Sequence, residues 1–395
     1  MAIDFALRLL AICVFAVLAA FAARRLVFLF TLLQPVERIA NSLYNPSVLL
    51  LIPARDERAS LPTLFTTLDR LDYPPDRLRV VLINDGSADT TGELMATAAA
   101  RRPNWRTLNL PSSVGKAQAL NLALAGHDDG DIVYIFDADH RPQPDCLRKA
   151  VAAFADPRVA GVSGRTIAGN ALASPAAFYS AVEAMVHQLI TMRGKDVLKL
   201  GPALLGSNNG YRRSALAEVG GFRPGAFLED SDLTLSLHRA GYTTRFVPDA
   251  VSFHQAPASI RGYVRQHLRW GRGFNDVART HLSSLITNNS LSLPVRLELA
   301  IFSVGYLDRL ALLLAIVLAA FNTARPLMLW GIGLNLGLPL IQILAAFTFD
   351  RALLGMWLRL PFVPLFFVLD AATAVWAIAA ALLNRPRVWD KTERA

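Results

Sequence analysis

Cysteine is scarce in this sequence, because only Cys13 and Cys146 occur among 395 residues. The first lies in an apolar N-terminal stretch and the second in the polar middle of the chain. The two are not placed to pair, which excludes a disulfide framework and is typical of a protein in a reducing compartment.

Charged residues are also few, at 18% of the chain against 53% apolar residues. Such a chain is too apolar for one ordinary soluble domain, while its middle is too polar for a pure membrane bundle. The net charge is +9, but the excess is scattered and no RNA- or DNA-binding motif accompanies it, which excludes nucleic acid as a partner. Anionic lipid headgroups account for the charge more simply.

A signal-peptide cleavage site is missing after the apolar residues 5–33, and the basic pair Arg24 and Arg25 follows the apolar core instead of preceding it. These features predict a membrane anchor centred on residues 9–23, with both arginines at its cytoplasmic rim.

Three further apolar stretches, 299–321, 327–348 and 361–383, are each long enough to cross a hydrocarbon core. We therefore predict an N-terminal transmembrane anchor (1–33), a soluble α/β domain (34–256), amphipathic interfacial helices (257–296), C-terminal transmembrane helices (297–383) and a basic tail (384–395). If all four apolar stretches cross the membrane, the basic tail and the soluble domain lie on opposite sides. The positive-inside rule instead predicts that the basic tail lies on the cytoplasmic side, together with the soluble domain. The sequence leaves both topologies open.

Strand-like and helix-like patterns alternate along the first half of the soluble domain. Buried-strand patterns occupy residues 47–54, 79–85, 106–111 and 131–139, with helical spacing at 58–70, 88–101 and 115–126. This order predicts a parallel sheet with helices on both faces and a ligand site at the carboxyl ends of its strands. Three strand ends carry polar groups, "PARDE", "NDGS" and "DAD", which predicts one nucleotide-sized pocket.

Asp137 and Asp139 are two residues apart in "IFDADH", so an extended segment would present both carboxylates on one face. Hard oxygen ligands with open positions suit Mg²⁺ or Mn²⁺ holding a diphosphate. Carboxylates that only cap the following helix are the alternative.

Lys116 follows a glycine at the predicted start of a helix, where backbone amides and an ammonium group favour phosphate. The Walker A pattern is absent, since its first glycine and its Ser or Thr after the lysine are missing, and ATP hydrolysis is disfavoured. The alternative is an ordinary surface lysine at a helix N-terminus.

Two later segments combine ionisable and apolar residues. "FLEDSDL" at 227–233 places three carboxylates beside apolar residues, which indicates a candidate general base or, alternatively, a helix N-terminus with acids in its first turn. In "RGYVRQHLRWGRGF" at 261–274, helical spacing puts Gln266, Arg269 and Trp270 on one face. That face suits a diphosphate and a sugar, although a basic interfacial helix without a chemical role gives the same pattern.

Taken in order, "PARDE", "NDGSAD", "GKAQALN", "FDADH", "GSNNGYRRSAL", "FLEDSDL" and "QHLRW" resemble the membrane-integrated family 2 glycosyltransferases. That family includes the bacterial cellulose, hyaluronan, chitin and poly-N-acetylglucosamine synthases. The resemblance spans residues 48 to about 275. It implies a GT-A (Rossmann-like) α/β domain at 34–256 joined to transmembrane α-helices, in a bacterial-type inner membrane with the catalytic domain in the cytoplasm.

The resemblance also implies roles for individual residues. Asp85 looks like the aspartate that contacts the uracil or ribose of a UDP-sugar, and Asp230 like the general base of the family's "TED" motif, although Leu228 replaces the usual threonine. Beside them, the resemblance implies a strand-end loop (Ala54, Arg55 and Glu57) and a lysine that lines the nucleotide pocket (Lys116). It also implies a DxD pair that holds Mg²⁺ or Mn²⁺ (Asp137 and Asp139) and a QxxRW motif (Gln266, Arg269 and Trp270), whose arginine binds the leaving diphosphate.

The implied activity is inverting, metal-dependent transfer from a UDP-sugar to a growing β-linked polysaccharide at the cytoplasmic face of a lipid bilayer. A lipid glycosyltransferase acting on a diacylglycerol, ceramide or polyprenyl acceptor is one alternative, and a non-catalytic nucleotide-sugar-binding membrane protein is another. An accessory export subunit or a homo-oligomer is compatible with each of these three possibilities. The sequence does not fix which sugar is transferred or which linkage is formed.

Overall fold

The computed structural model describes residues 2–35, 44–305 and 307–382, and the basic tail predicted at 384–395 lies outside them. A long N-terminal helix leads into a mixed sheet flanked by helices, and apolar helices follow. The first helix, α1, spans Ala2–Phe30 and continues into a 3₁₀ turn at Thr31–Leu33.

Strands and helices alternate in the first half of the sheet domain, as predicted: β1 (Val48–Ala54), α2 (Leu61–Leu68), β2 (Leu78–Asp85), α3 (Thr91–Ala100), β3 (Trp105–Leu110), α4 (Lys116–Ala125) and β4 (Ile132–Ile135). The second half comprises β5 (Arg141–Pro142), α5 (Cys146–Val151), β6 (Val159–Ala168), α6 (Pro175–Val186), α7 (Arg193–Val197), β7 (Asn209–Arg212), α8 (Arg213–Glu218), α9 (Glu229–Arg239) and β8 (Thr243–His254). The C-terminal helices are α10 (Ile260–Thr287), α11 (Leu293–Ser303), α12 (Leu307–Leu318), α13 (Arg325–Phe349), α14 (Leu354–Trp357) and α15 (Val363–Leu382).

The sheet has the strand order β3-β2-β1-β4-β7-β6-β8-β5. Strands β1 to β4 are parallel, which confirms that part of the prediction, but β7 pairs antiparallel with both β4 and β6. The sheet is therefore mixed. Strand β4 also ends at Ile135, four residues earlier than predicted, and "DAD" lies in the turn beyond it.

The sheet is buried on both faces, as the continuous apolar runs predict. All seven residues of β1 are buried. Leu50 and Ile52 face a core built with α2, α3 and α5, whereas Leu49 and Leu51 face a second core built with α4, α8 and α9. Each such side chain contributes about 1.5–3 kcal/mol when fully buried. This double packing fixes the carboxyl ends of β1, β2 and β4 at one edge.

The long helix α10 carries the "QHLRW" segment. Its N-cap is Ser259, whose hydroxyl oxygen accepts a hydrogen bond from the Gly262 amide at 3.0 Å. Helix α10 packs against α11 and α15 as well as α6 and α9. It therefore connects the sheet domain to the C-terminal helices.

Among the described residues, three helices are long and apolar enough to cross a membrane: Asp4–Leu33, Arg325–Phe349 and Leu354–Ala377. A fourth span is formed only if α11 and α12, which meet at a bend of 69°, count as one crossing. The four predicted stretches thus overlap these three candidate spans, the last of which includes α14 and most of α15, and the bent pair.

Arg24 and Arg25, predicted to lie at the cytoplasmic rim of the anchor, both have acidic partners in the structure. Arg24 donates two hydrogen bonds to the Glu298 carboxylate at 2.6 and 2.8 Å, while Arg25 donates to Asp308 at 2.5 Å and to Asn335 at 2.6 Å. Because buried charges are tolerated when paired, the helix continues past both arginines to Phe30.

Candidate active site

A cavity of about 1800 Å³ lies between the strand ends, α9, α10 and the C-terminal helices. The structure brings every site residue predicted from the sequence to its wall: Ala54, Arg55, Glu57, Asp85, Lys116, Asp137, Asp139, Asp230, Gln266, Arg269 and Trp270. Residues separated by more than 200 positions in sequence therefore share one cleft.

Asp85, the last residue of β2, is buried and holds the loop before α4. Its carboxylate accepts hydrogen bonds from the Val114 amide at 2.7 Å, the Gly115 amide at 3.1 Å and the Ser113 hydroxyl at 2.8 Å. Gly115 has a φ of 86°, a left-handed conformation that glycine adopts without strain. This arrangement positions the start of α4; a contact between Asp85 and a nucleotide remains a prediction.

The loop after β1 turns sharply away from the sheet. Asp56 adopts a φ of 55°, and Glu57 accepts a hydrogen bond from the Ser60 hydroxyl at 2.9 Å. Arg55 and Glu57 are half-exposed at the cavity wall, next to the buried Ala54. The turn therefore places two half-exposed charged side chains at the wall of the cleft.

Lys116 connects three separate parts of the site. Its ammonium group lies 2.9 Å from Asp137 Oδ1 and 3.0 Å from Glu229 Oε1, and it donates a hydrogen bond to the Gly206 carbonyl at 2.7 Å. The two carboxylates raise the pKa of Lys116 above its ordinary value, although burial opposes them. The charged lysine joins the tip of β4, the loop before β7 and the start of α9.

Asp137, Asp139 and His140 form a group suited to a divalent cation. Each offers one ligand atom, and the three atoms lie within 4.8 Å of one another. The sequence reasoning missed His140, because alternation along an extended strand points it away from Asp139. The chain instead turns, with the His140 amide donating to the Asp137 carbonyl at 3.0 Å, and Ser252 Oγ lies 3.0 Å from His140 Nδ1.

Asp230 lies in the first turn of α9 with its carboxylate facing the cleft. Its Oδ1 accepts a hydrogen bond from the Ser231 amide at 2.7 Å. Burial and, secondarily, the neighbouring Glu229 carboxylate raise the pKa of Asp230 to about 7. A carboxyl group with this pKa can accept a proton at neutral pH. Glu229, assigned no role from the sequence, influences the site through both Asp230 and Lys116.

The QxxRW residues lie on the face of α10 that lines the cavity. Within the described part of the chain, the buried Nε of Arg269 has no hydrogen-bond partner. Trp270 contacts His267 edge-to-face, with ring centroids 4.8 Å apart. A guanidinium with an unused buried donor is suited to an anionic ligand.

Helix α10 lies close to the start of α9 at Gly273. A Cβ atom there would lie 2.4 Å from Leu228 Cγ and 3.3 Å from Phe227 Cβ. The first distance is shorter than real Cβ contacts and the second is tight, so a methyl group at this position would overpack the contact. Glycine at this position therefore sets the spacing between the helix that carries Asp230 and the helix that carries Trp270.

We expect Gly273→Ala to lower protein stability by about 1–3 kcal/mol through overpacking. It should also reduce turnover by up to about 10²-fold, because a displacement near 1 Å misaligns reacting groups. Thermal unfolding and steady-state kinetics measure the two effects. Gly333→Ala is the matched control, since the Cβ it would add in α13 meets no described atom within 4 Å apart from the backbone of its own helix. Equal behaviour of both variants would contradict the prediction.

The sequence profile described as glycosyl transferase family group 2 matches residues 132–349. An N-acetylglucosaminyltransferase of Rhizobium meliloti is 31% identical over 244 residues, covering 58% of this chain and 55% of that protein. A beta-monoglucosyldiacylglycerol synthase of Synechocystis is 28% identical over 238 residues, covering 59% of this chain and 49% of that protein. The chain thus spans about half the length of these curated relatives.

A solved structure shows a similar fold over nearly the whole chain. It is a mannosyltransferase from Pyrobaculum calidifontis in complex with GDP-mannose and Mn²⁺, with a TM-score of 0.62 and 23% identity, covering 96% of this chain and 100% of that one. This likeness confirms the predicted GT-A-like α/β fold, with a mixed sheet instead of a purely parallel one.

Proposed function

The chain belongs to glycosyl transferase family group 2, and from this premise we propose that it transfers a sugar from a UDP-sugar to the hydroxyl of a glycan or lipid acceptor, with inversion at the anomeric carbon. The observation that best supports this proposal is the position of Lys116, which contacts both Asp137 and Glu229. Asp230 and Trp270 line the same cavity. The groups that we propose to bind the donor and to accept the proton thereby share one cleft.

In the proposed mechanism, the acceptor oxygen attacks the anomeric carbon and the bond between that carbon and the diphosphate breaks. Asp230 takes the proton of the acceptor hydroxyl, for which its pKa of about 7 is suited. Negative charge develops on the departing diphosphate, where Arg269 offers its unused buried donor. One base and one displacement give inversion without a covalent intermediate.

Asp137, Asp139 and His140 fit a divalent cation, because two carboxylates and one imidazole offer ligand atoms within 4.8 Å of one another. Mg²⁺ or Mn²⁺ bound there would neutralise part of the charge of the diphosphate. Lys116 stays charged beside Asp137 and limits the excess negative charge of this group. The mannosyltransferase with a similar fold was solved with Mn²⁺.

We also propose that the protein is integrated in a bacterial-type inner membrane, with the sheet domain in the cytoplasm. Three described helices are long and apolar enough to cross a bilayer, and the bent pair α11 and α12 offers a fourth crossing. The donor is made in the cytoplasm, so the cleft must open to that side.

Two acceptor classes are compatible with the cavity. A growing β-linked polysaccharide is supported by the resemblance of the motifs and by a relative named N-acetylglucosaminyltransferase. A lipid acceptor is supported by the apolar part of the cavity wall, to which α13 contributes Leu336, Leu340 and Ile343 and α15 contributes Phe367 and Val368. A relative is named beta-monoglucosyldiacylglycerol synthase.

The experiment is to incubate the full-length protein in lipid nanodiscs with radiolabelled UDP-sugars, one at a time, with Mn²⁺ or Mg²⁺ and with EDTA as control. A high-mass glycan supports the polysaccharide acceptor, and an organic-extractable product supports the lipid acceptor. Binding of UDP-sugars without any transfer, to polysaccharide or to lipid, would overturn the proposal in favour of a non-catalytic nucleotide-sugar-binding protein.

We predict that kcat/KM falls as the pH drops below about 7. Burial raises the pKa of Asp230, so protonation removes the base on the acid side, and the rate should fall about tenfold per pH unit there. UDP affinity, measured over the same pH range, separates loss of the base from loss of donor binding. A rate that stays constant between about pH 5 and 7 would contradict the assignment of Asp230.

A further inference from the structure

A second group of metal-ligating side chains lines the cavity among the helices. Glu183 of α6, His267 of α10 and Asp370 of α15 each offer one ligand atom, and these atoms lie within 4.8 Å of one another. His267 and Asp370 are buried, at 4% and 2% exposure. No step of the transfer reaction above uses any of the three.

The hydrogen bonds of His267 set its tautomer. Its Nδ1 lies 3.0 Å from the Tyr263 carbonyl oxygen, which can only accept, so Nδ1 carries a hydrogen. Its Nε2 points at Glu183 Oε2, 3.1 Å away. Metal-binding histidines commonly donate the second ring nitrogen to a backbone carbonyl in this way. Glu183 Oε1 additionally accepts from the Tyr263 hydroxyl at 3.3 Å.

Asp370 distinguishes a cation site from a simple ion pair. Its Oδ2 accepts a hydrogen bond from Arg309 at 2.8 Å, whereas its buried Oδ1 has no hydrogen-bond partner in the part of the chain that the structure describes. If His267 were only protonated and paired with Glu183, Oδ1 would stay unsatisfied, which is costly for a buried carboxylate. A cation bound through Oδ1 and shared with Glu183 and His267 would satisfy it.

The charges around this group also favour a cation. Arg309 bonds both Asp370 and Asp308, and Arg25 bonds Asp308 from the other side. With Glu183 included, three carboxylates therefore face two guanidinium groups, which leaves one excess negative charge while His267 is neutral.

We propose that Glu183, His267 and Asp370 bind a divalent transition-metal ion, Zn²⁺ or Mn²⁺, at a site separate from the Asp137–Asp139 cation. One imidazole and two carboxylates suit these ions better than Ca²⁺. Three protein ligands leave a coordination position open, and all three residues line the cavity. The bound ion would tie α6 and α15 to α10 beside Trp270 and leave its open position facing the cavity.

The test uses the full-length protein in detergent, stripped with EDTA and titrated with Co²⁺ as a spectroscopic probe of Zn²⁺ sites. Asp139→Asn is the background, because it weakens the other cation site. We expect one bound Co²⁺ per chain with visible absorption bands, and a loss of affinity of at least about 100-fold when Asp370→Asn is added. Asp350→Asn is the control, since Asp350 pairs with Arg165 elsewhere and its removal should leave Co²⁺ binding unchanged.

Glu183→Gln provides a second, independent variant, because its amide oxygen can still accept from Tyr263. It should lose Co²⁺ binding with little change in thermal unfolding. Absence of bound Co²⁺ in the Asp139→Asn background, or full affinity in a folded Glu183→Gln variant, would overturn the proposal. Because the experiment measures metal binding alone, its outcome does not depend on whether the protein transfers a sugar.

Discussion

Replacing Asp230 with Asn is expected to lower the rate of sugar transfer by about 10²–10⁴-fold, the usual contribution of a positioned general base. Asparagine has the same shape and its oxygen can still accept from the Ser231 amide, but it cannot take the proton of the acceptor. Lys116 keeps its contacts with Asp137 and Glu229, so UDP affinity should change little. Single-turnover transfer and UDP binding by calorimetry measure both quantities.

Asp232→Asn is the matched control for this prediction. Asp232 lies on the same first turn of α9, but its carboxylate faces Arg223 at 2.7 Å and His281 at 2.9 Å, away from the cavity wall. The Asp232→Asn replacement should lower the free energy of unfolding. It should change the rate of sugar transfer by the folded protein much less. Transfer at the wild-type rate in Asp230→Asn would show that another group is the base.

Replacing Arg269 with Lys is expected to reduce kcat by about 10²–10³-fold, as is typical when a donor to developing charge is removed. Lysine keeps the positive charge but lacks the planar, multi-donor guanidinium. Because the diphosphate gains charge mainly as the bond breaks, KM for the donor should change less than kcat. Steady-state kinetics over a range of donor concentration separates the two.

Arg272→Lys is the control for helix α10. Arg272 lies on the same helix but does not line the cavity, and its replacement should leave kcat nearly unchanged. If the two lysine variants had equal kcat values, Arg269 would not bind the leaving group, and its unused donor would need another explanation.

The first half of the sheet could be predicted from the sequence because its strands are buried on both faces and read as continuous apolar runs. The antiparallel β7 could not be predicted in this way. It is a four-residue strand, "NGYR", whose polar ends give no alternation, and its direction is set by pairing with β4 and β6. Short strands depend on their neighbours more than on local preference.

The sequence predicted which residues would come together where the motif itself carries the chemistry, as with the spaced carboxylates of Asp137 and Asp139, which line the cavity. The sequence did not predict the positions of His140 and Glu229 beside them, because these positions depend on a turn and on a lysine 113 residues away from Glu229 in sequence. The acidic partners of Arg24 and Arg25 lie more than 270 residues along the chain, and no local pattern indicates such pairs.

The amino-acid sequence by itself determined the alternation of strands and helices around β1–β4, the apolar helices, and the types of side chain available at the strand ends, because these follow from local periodicity and residue chemistry. Only the tertiary structure decided that Lys116 joins two acidic segments, that burial places the pKa of Asp230 near 7, and that Glu183, His267 and Asp370 meet between three helices. Distances and burial between remote segments depend on how the elements pack, and a one-dimensional pattern does not contain that packing.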